Sequence, residues 1–567
     1  MSALFHVRPV PDAALADLVA GGMHPVMARL AAGRGIASPD ELDTALGALH
    51  APSLLLNADA MAVVLADAIR DGRRLLIVGD YDADGATASA VGWLALSRFG
   101  AKVETLVPNR FEYGYGLTPE IVRVAAERRP DAIITVDNGI ASHDGIDEAR
   151  RLGIPVLVTD HHLPGSTLPA AEVIVNPNQP NCPFPSKSLA GVGVMFYVML
   201  ALRAELRKRG AFASRAEPNL AELLDLVALG TVADVVKLDR NNRVLVAQGL
   251  KRIRAGTARP GILALLKAAG RDPTRASPYD LGFVAGPRLN AAGRLEDMAQ
   301  GIACLVADDP GEAARLAASL DALNRERREI EAGMQASALA SLEGADPGAG
   351  CSIVMHDPDW HQGVIGLLAS RLRERFHRPT ICLAEGPDGA LKGSGRSIPA
   401  LHLRDALDLV DRRHPGLLIR FGGHAAAAGV SLRREDVGRF RDAFESVVAG
   451  LVTPADLART VDTDGRLDDA DLRLEVADLL AGQVWGQGFP PPLFEDEFEV
   501  RDQRIVGGRH LKLRLRRSGG GSELAAMRFG EVGPLPSHIR AAYRIEANEW
   551  NGARTLQLMV EHWQAPE

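Results

Sequence analysis

The chain has 567 residues, 47% of them hydrophobic and 24% charged, and carries a formal charge of −8. So much apolar material supports several cores and excludes both general disorder and a small cross-linked scaffold. The acidic balance excludes a uniformly basic nucleic-acid wrapper, although a local basic groove remains compatible with it. Cysteines at 182, 304, 351 and 382 form no CxxC pair, so neither a zinc knuckle nor a redox motif is expected, and a reducing, cytoplasmic setting fits best. The opening MSALFHVRPVPDAALADL lacks the basic start and unbroken apolar run of a secretory signal. Residues 188–202 are uncharged but too few to cross a bilayer; they read as a buried helix, and no membrane attachment is expected.

Taken in chain order, residues 1–70 read as a peripheral helical extension broken by proline and glycine. From Arg74 the pattern changes to short apolar runs alternating with helical stretches: RLLIVG, AKVETLVP, DAIITVDNG and IPVLVTDHH. This is the βαβ signature, and runs apolar throughout predict a parallel sheet covered on both faces, here assigned to 71–311. ELLDLVALGTVADVV reads as another buried helix and turn, and 312–343 as a long, charge-rich connecting helix. GADPGAG, at 344–350, is a plausible boundary. A smaller α/β unit is expected over 344–455. Over 456–567, short alternating runs with glycine and asparagine turns predict a small β-barrel.

The most informative residues sit at strand ends. GDYDADG places Asp80, Asp82 and Asp84 directly after the first apolar strand; VDNG places Asp137 after another, and TDHH places Asp160, His161 and His162 after a third. A lone strand-end aspartate is usually a cap or turn former. In an open α/β sheet, however, strand carboxyl ends line one crevice, so these residues can meet there. Clustered carboxylates repel one another and hold protons unless a cation neutralises them. Oxygen and imidazole donors without thiolate favour Mn²⁺, Mg²⁺ or Fe²⁺ over structural zinc. There are enough carboxylates for two ions bridged by one aspartate, an arrangement suited to displacement at phosphorus.

DYDADG, VDNG, DHH and GTVADVV, in this order, resemble the motifs of the DHH phosphoesterase superfamily, while GSGRS and GGHAAAAG resemble its associated DHHA1 domain. HQGVIGLLASRL, PRLNAAGRL and the β-rich tail resemble its bacterial single-strand-specific exonucleases. The resemblance implies a DHH catalytic domain, a DHHA1 substrate-binding domain and an OB-like nucleic-acid-binding domain. It implies metal binding by Asp82, Asp84, Asp137, His161 and Asp234, with Asp80 a further ligand or an orienter. His162 is expected to steady charge on the scissile phosphoryl group or leaving oxygen, and Asp160 to orient a histidine.

An exonuclease must also grip a strand end. The resemblance points to Ser394 and Arg396 for a terminal 5′-phosphate, with Arg110 and Arg288 as further candidates. Solvent-facing or ion-paired arginine is the alternative for each. Gly423 and His424 in GGHAAAAG offer a backbone phosphate cradle, or a histidine that only fixes the turn. In the tail, Arg501, Arg504, Arg509, Lys512, Arg514, Arg516 and Arg517 face a single Asp502 within 501–520. Alternation in HLKLRLR puts Lys512, Arg514 and Arg516 on the solvent face, as a strand-tracking stripe or an ordinary charged edge.

The expected activity is therefore a metal-dependent 5′→3′ exonuclease on single-stranded DNA, releasing 5′-mononucleotides with two Mn²⁺ or Mg²⁺ ions, in DNA repair and recombination. A single-strand-binding protein or a helicase are candidate partners, and a monomer is expected. The alternatives are a phosphodiesterase of the same superfamily acting on short RNA or cyclic dinucleotides, and a non-catalytic single-strand-binding scaffold.

Overall fold

The first strand, β1 (Leu4–Val7), departs from the expected helical extension. It pairs in parallel with residues 460–463, and Arg8 beside it binds Asp464 at 3.0 Å. A strand created by a partner more than 450 residues away leaves no local periodicity to read. The computed structural model describes residues 4–108, 116–342, 349–386, 389–550 and 552–566. The chain divides into two units: Ser38–Arg325 with Val484–Pro491, and Met1–Ala37 with Glu326–Gln483 and Pro492–Glu567.

In the first unit, each apolar run becomes a strand: β2 (Arg74–Gly79), β3 (Lys102–Leu106), β4 (Ala132–Val136), β5 (Val156–Thr159) and β6 (Val173–Val175). The order is β3-β2-β4-β5-β6 and every pair is parallel. The residues of β4 and β5 are buried throughout, as a sheet covered on both faces requires. Leu76, Val78, Ile133 and Val158 pack with Ile121, Val122 and Ile146 of two covering helices. The chain leaves β2 for β3 on one side and returns to β4 on the other. The reversal lies between β2 and β4, where α/β sheets place their ligands at the strand carboxyl ends. Residues 188–202 lie largely in the buried helix Gly191–Lys208. Among the described residues, no single helix is long and apolar enough to cross a membrane.

The helix Pro310–Ser341 carries the chain into the second unit, while most of the glycine-rich stretch after it lies outside the described residues. There β7 (Ile353–His356), β8 (Thr380–Glu385), β9 (Leu391–Arg396), β10 (Arg420–Gly423) and β11 (Ala427–Leu432) form a mixed sheet in the order β10-β11-β9-β8-β7. After β12 (Thr460–Thr463), the partner of β1, come β13 (Phe494–Val506), β14 (His510–Arg517), β15 (Leu524–Phe529), β16 (His538–Trp550) and β17 (Ala553–Gln564). β13 pairs with both β14 and β16, β15 joins β14 to β17, and β17 joins β16.

Candidate metal centre and nucleic-acid site

The turn after β2 is set by close approach. A Cβ on Gly85 would lie 2.5 Å from the Asp80 carbonyl oxygen, so DYDADG needs glycine at its last position. Asp82 caps the helix Ala83–Phe99, its Oδ1 accepting from the backbone N–H of Asp84 at 2.9 Å and of Gly85 at 3.0 Å. Asp84, wholly buried, sits at the start of the helix Gly191–Lys208, where the N–H groups of Gly191 (2.7 Å) and Val192 (2.8 Å) donate to its two oxygens. Asp137 takes a left-handed conformation (φ 62°) after β4, tolerated by aspartate and typical of strained functional positions. Asp160 accepts from the N–H of Ile140, His161 and His162, and its Oδ1 lies 2.7 Å from His162 Nδ1. It orients a histidine, as the sequence implied. Asp234 closes the helix Leu224–Ala233.

These side chains meet. His161 Nε2 lies 3.0 Å from Asp137 Oδ1, 3.5 Å from Asp234 Oδ2 and 3.8 Å from Asp84 Oδ2. Potential ligand atoms of Asp80, Asp82 and Asp137 fall within 4.8 Å of one another, as do those of Asp84, His161 and Asp234, and of Asp137, His161 and His162. Asp137 Oδ1 and His161 Nε2 are buried and neither has a hydrogen-bond partner, although they are close together. Two buried, uncompensated ligand atoms 3.0 Å apart fit a shared cation.

Electrostatics agree. Burial, then Asp82, pushes the Asp84 carboxyl up to about 7. Burial, then Asp84 and Asp82, raises Asp137 and Asp234. Burial pushes His161 down to about 4, leaving a neutral imidazole suited to a metal. Burial also opposes charge on His162, but the hydrogen bond and charge of Asp160, with Asp80 and Asp82, outweigh it and raise that ring to about 9.

The candidate strand-gripping residues fare differently. Arg110 lies outside the described residues. Arg288 is buried, its Nε 2.9 Å from Asp321 Oδ1 and its Nη1 2.6 Å from the Val284 carbonyl, the ion-paired alternative named for it above. Its partner stands 33 positions away, beyond reach of motif reading. Arg396 and Ser394 project from β9, Arg396 Nη1 being 3.1 Å from Ser394 Oγ. A Cβ on Gly366, at the start of the helix Ile365–Phe376, would lie 2.9 Å from that Oγ and 3.0 Å from Arg396 Nη2. Gly423 (φ 138°) ends β10, and His424 is exposed with its N–H bound to the Ala427 carbonyl in a hairpin tip. The helix start beside that tip already donates its Leu403 N–H to Ala425. Lys512, Arg514 and Arg516 do alternate with buried Leu511, Leu513 and Leu515. Yet Glu523 lies 3.1 Å from Arg514, and Glu499 lies 2.6 Å from Arg516 and also pairs with Arg501. The stripe is thus partly neutralised by acids from outside the 501–520 window.

Comparison with known proteins completes the description. Family models match residues 74–231 (DHH family, N-terminal domain), 348–450 (DHHA1 domain) and 463–562 (RecJ OB domain). The single-stranded-DNA-specific exonuclease RecJ of Dickeya dadantii is 52% identical over 98% of each chain, and that of Escherichia coli 51% identical over 96% of this chain and 97% of its own. The chain belongs to the RecJ family. The crystal structure of RecJ in complex with Mn²⁺ from Thermus thermophilus matches all of this chain and 80% of its own, with TM-score 0.84 and 31% identity.

Within this RecJ-family chain, sequence reading missed several positioning residues. Asn290 of PRLNAAGRL accepts from the Ala83 N–H at 2.7 Å, and so steadies the Asp82 turn. Asn178 and Asn176 donate to the carbonyls of His161 (2.6 Å) and His162 (2.9 Å). Both lie in VNPNQPN after β6, a fourth strand end that the same crevice rule would have flagged.

Proposed function

We propose that the chain is a metal-dependent exonuclease that degrades single-stranded DNA from its 5′ end, releasing 5′-mononucleotides in DNA repair and recombination. The observation that carries this reading is the buried, uncompensated pair Asp137 Oδ1 and His161 Nε2 within a cluster of carboxylates. Asp80, Asp82 and Asp137 would form one ligand set and Asp84, His161 and Asp234 another, Asp137 Oδ1 of the first standing 3.0 Å from His161 Nε2 of the second. Two Mn²⁺ or Mg²⁺ ions held by these residues would lower the pKa of a water and offset phosphate charge. His162, held by Asp160 and protonated at neutral pH, gives its proton to the departing 3′-oxygen and so stabilises the leaving nucleotide.

The domain reading that goes with this function is a DHH catalytic domain at 71–311, a connecting helix at 312–343, a DHHA1 substrate-binding domain at 344–455 and an OB-like barrel at 456–567. Ser394 and Arg396 receive the 5′-phosphate, with Gly423 and His424 at the same sheet's hairpin tip as further contacts. Lys512, Arg514 and Arg516 track the strand. A single-strand-binding protein or helicase is the expected partner of a cytoplasmic monomer. End-labelled single strands, duplex and dinucleotides incubated with Mn²⁺, with and without chelator, test the reading. Chelator-sensitive release of mononucleotides from 5′ single strands is expected. Hydrolysis of dinucleotides alone would make it a small-substrate phosphodiesterase, and binding without hydrolysis a scaffold.

A further inference from the structure

Val484–Pro491 belongs to the first unit although the residues on both sides of it belong to the second. It lies against the turn that follows Asp234. The Leu238 N–H donates to the Gln487 carbonyl at 2.7 Å. Phe489, buried, stacks on Trp485 with ring centroids 5.1 Å apart, and the Arg243 guanidinium lies over it at 4.4 Å. Arg243 in turn donates to the Leu238 carbonyl at 3.0 Å, and Asn242 to the Lys237 carbonyl at 2.9 Å. The glycines of WGQGF are dictated by this closeness. A Cβ on Gly486 would lie 2.5 Å from Leu238 Cδ1, and one on Gly488, whose φ is 70°, 2.4 Å from Lys237 Cγ.

What this grip holds is a strained backbone. Val235, directly after Asp234, has φ 62°. For a β-branched residue that is a true outlier, persisting only where the surroundings over-determine it. Its side chain is exposed, so its own packing does not supply that restraint. On one side the Val235 N–H donates to the Val232 carbonyl at 3.2 Å; on the other, residues 237 and 238 are fixed by Gln487, Asn242 and Arg243, and Arg243 is itself seated on Phe489.

We propose that Val484–Pro491 is a clasp whose positioning residue, Phe489, holds the strained Val235 turn and thereby keeps Asp234 aimed at His161 and Asp84 for cation binding. The proposal rests on the reading of Asp234 as a metal ligand. Supporting groups that orient ligands typically change metal affinity by about 10–100-fold when removed. Mn²⁺ affinity of the full chain is measured by calorimetric titration and by the free-ion EPR signal, alongside thermal melts. Phe489→Ala is expected to weaken Mn²⁺ binding roughly tenfold, and Phe489→Leu, which keeps apolar volume there, to restore most of it. Leu266→Ala, a core truncation in the helix Pro260–Ala268 of the same unit, is expected to lower the melting temperature and leave Mn²⁺ affinity unchanged. If Phe489→Ala does not fold, Gly486→Ala, which presses on the end of the Leu238 side chain without a left-handed backbone, perturbs the same clasp more mildly and is expected to weaken Mn²⁺ binding in the same direction. Unchanged Mn²⁺ affinity in a folded clasp variant, or an equal loss in Leu266→Ala, overturns the clasp. Unchanged affinity in Asp234→Asn overturns instead the ligand reading on which it rests.

Discussion

Stripping cations from the carboxylate cluster is expected to make stability fall as the pH rises. Burial, and then Asp82, raises the Asp84 carboxyl to about 7 from an ordinary 3.8. Asp137 and Asp234 move the same way. A carboxyl with a raised folded pKa binds its proton more tightly in the folded state. Its stabilisation is complete below the unfolded value, declines as the pH climbs, and is gone once the pH passes the folded value. For Asp84 the gap of about three pH units corresponds to about 4 kcal/mol, of which about 2 kcal/mol is lost between about pH 5.5 and 7. Mn²⁺ takes over the proton's neutralising role, so its stabilising effect must be larger at about pH 8 than at about pH 5.5. At roughly 1–2 °C per kcal/mol for a unit of this size, Asp84 alone makes that difference roughly 2–4 °C. His161, pushed down to about 4, is neutral throughout this range and does not compete. Scanning calorimetry at the two pH values, with EDTA and with MnCl₂, measures the effect. A manganese-induced shift that is equal at both, or larger at the lower pH, would refute the electrostatic reasoning.

Three further outcomes are expected. Asp82→Ala and Asp137→Ala abolish chelator-sensitive release of mononucleotides while retaining a cooperative melt; normal turnover by either removes that ligand from the set. Asp160→Asn takes away the charge that raises His162 to about 9, so that ring loses its proton nearer its ordinary 6.5 or below. Turnover at about pH 8 should fall about 100-fold and partly recover near pH 6, Mn²⁺ affinity being retained, and an unaltered pH–rate profile would dismiss His162 as the acid. In the tail, Lys512→Ala should reduce the salt slope of long-strand binding by about 0.7, whereas Glu499→Gln, which releases Arg516 and Arg501, should tighten it. Salt slopes that do not move in either variant remove the stripe from the DNA path.

The carboxylate–histidine cluster was legible because all its members but Asp234 belong to short motifs at the ends of apolar runs, and strand order does the rest. Asp80, Asp82 and Asp84 follow β2, Asp137 follows β4 and His161 follows β5, three strands that are neighbours in the sheet. Asp234 lies on a helix and was reached only through resemblance. What stayed hidden is set by distant pairing. β1 is a strand only because residues 460–463 lie beside it, and Arg288 is spoken for only because Asp321 folds against it. The tail looked strongly basic within its own twenty residues, but Glu499 and Glu523 reach it from neighbouring segments. The clasp is the extreme case, since its glycines have a reason only at residues 237 and 238, some 250 positions earlier.

The cluster also explains how so many acids can be assembled before any cation binds. Asp82 and Asp84 each receive two backbone N–H groups at helix starts, and Asp160 receives three together with His162. Those donors offset part of the burial cost of each carboxylate, as helix N-termini do for any anion. Asp137 Oδ1 has no such donor, and its carboxyl is accordingly raised by burial and by its neighbours. The backbone therefore offsets part of the charge on Asp82, Asp84 and Asp160 and leaves none of that help to the Asp137 oxygen that faces His161 Nε2. A site compensated evenly by N–H groups would hold its carboxylates without help and bind cations weakly. Uneven compensation is what gives Mn²⁺ or Mg²⁺ something to gain there.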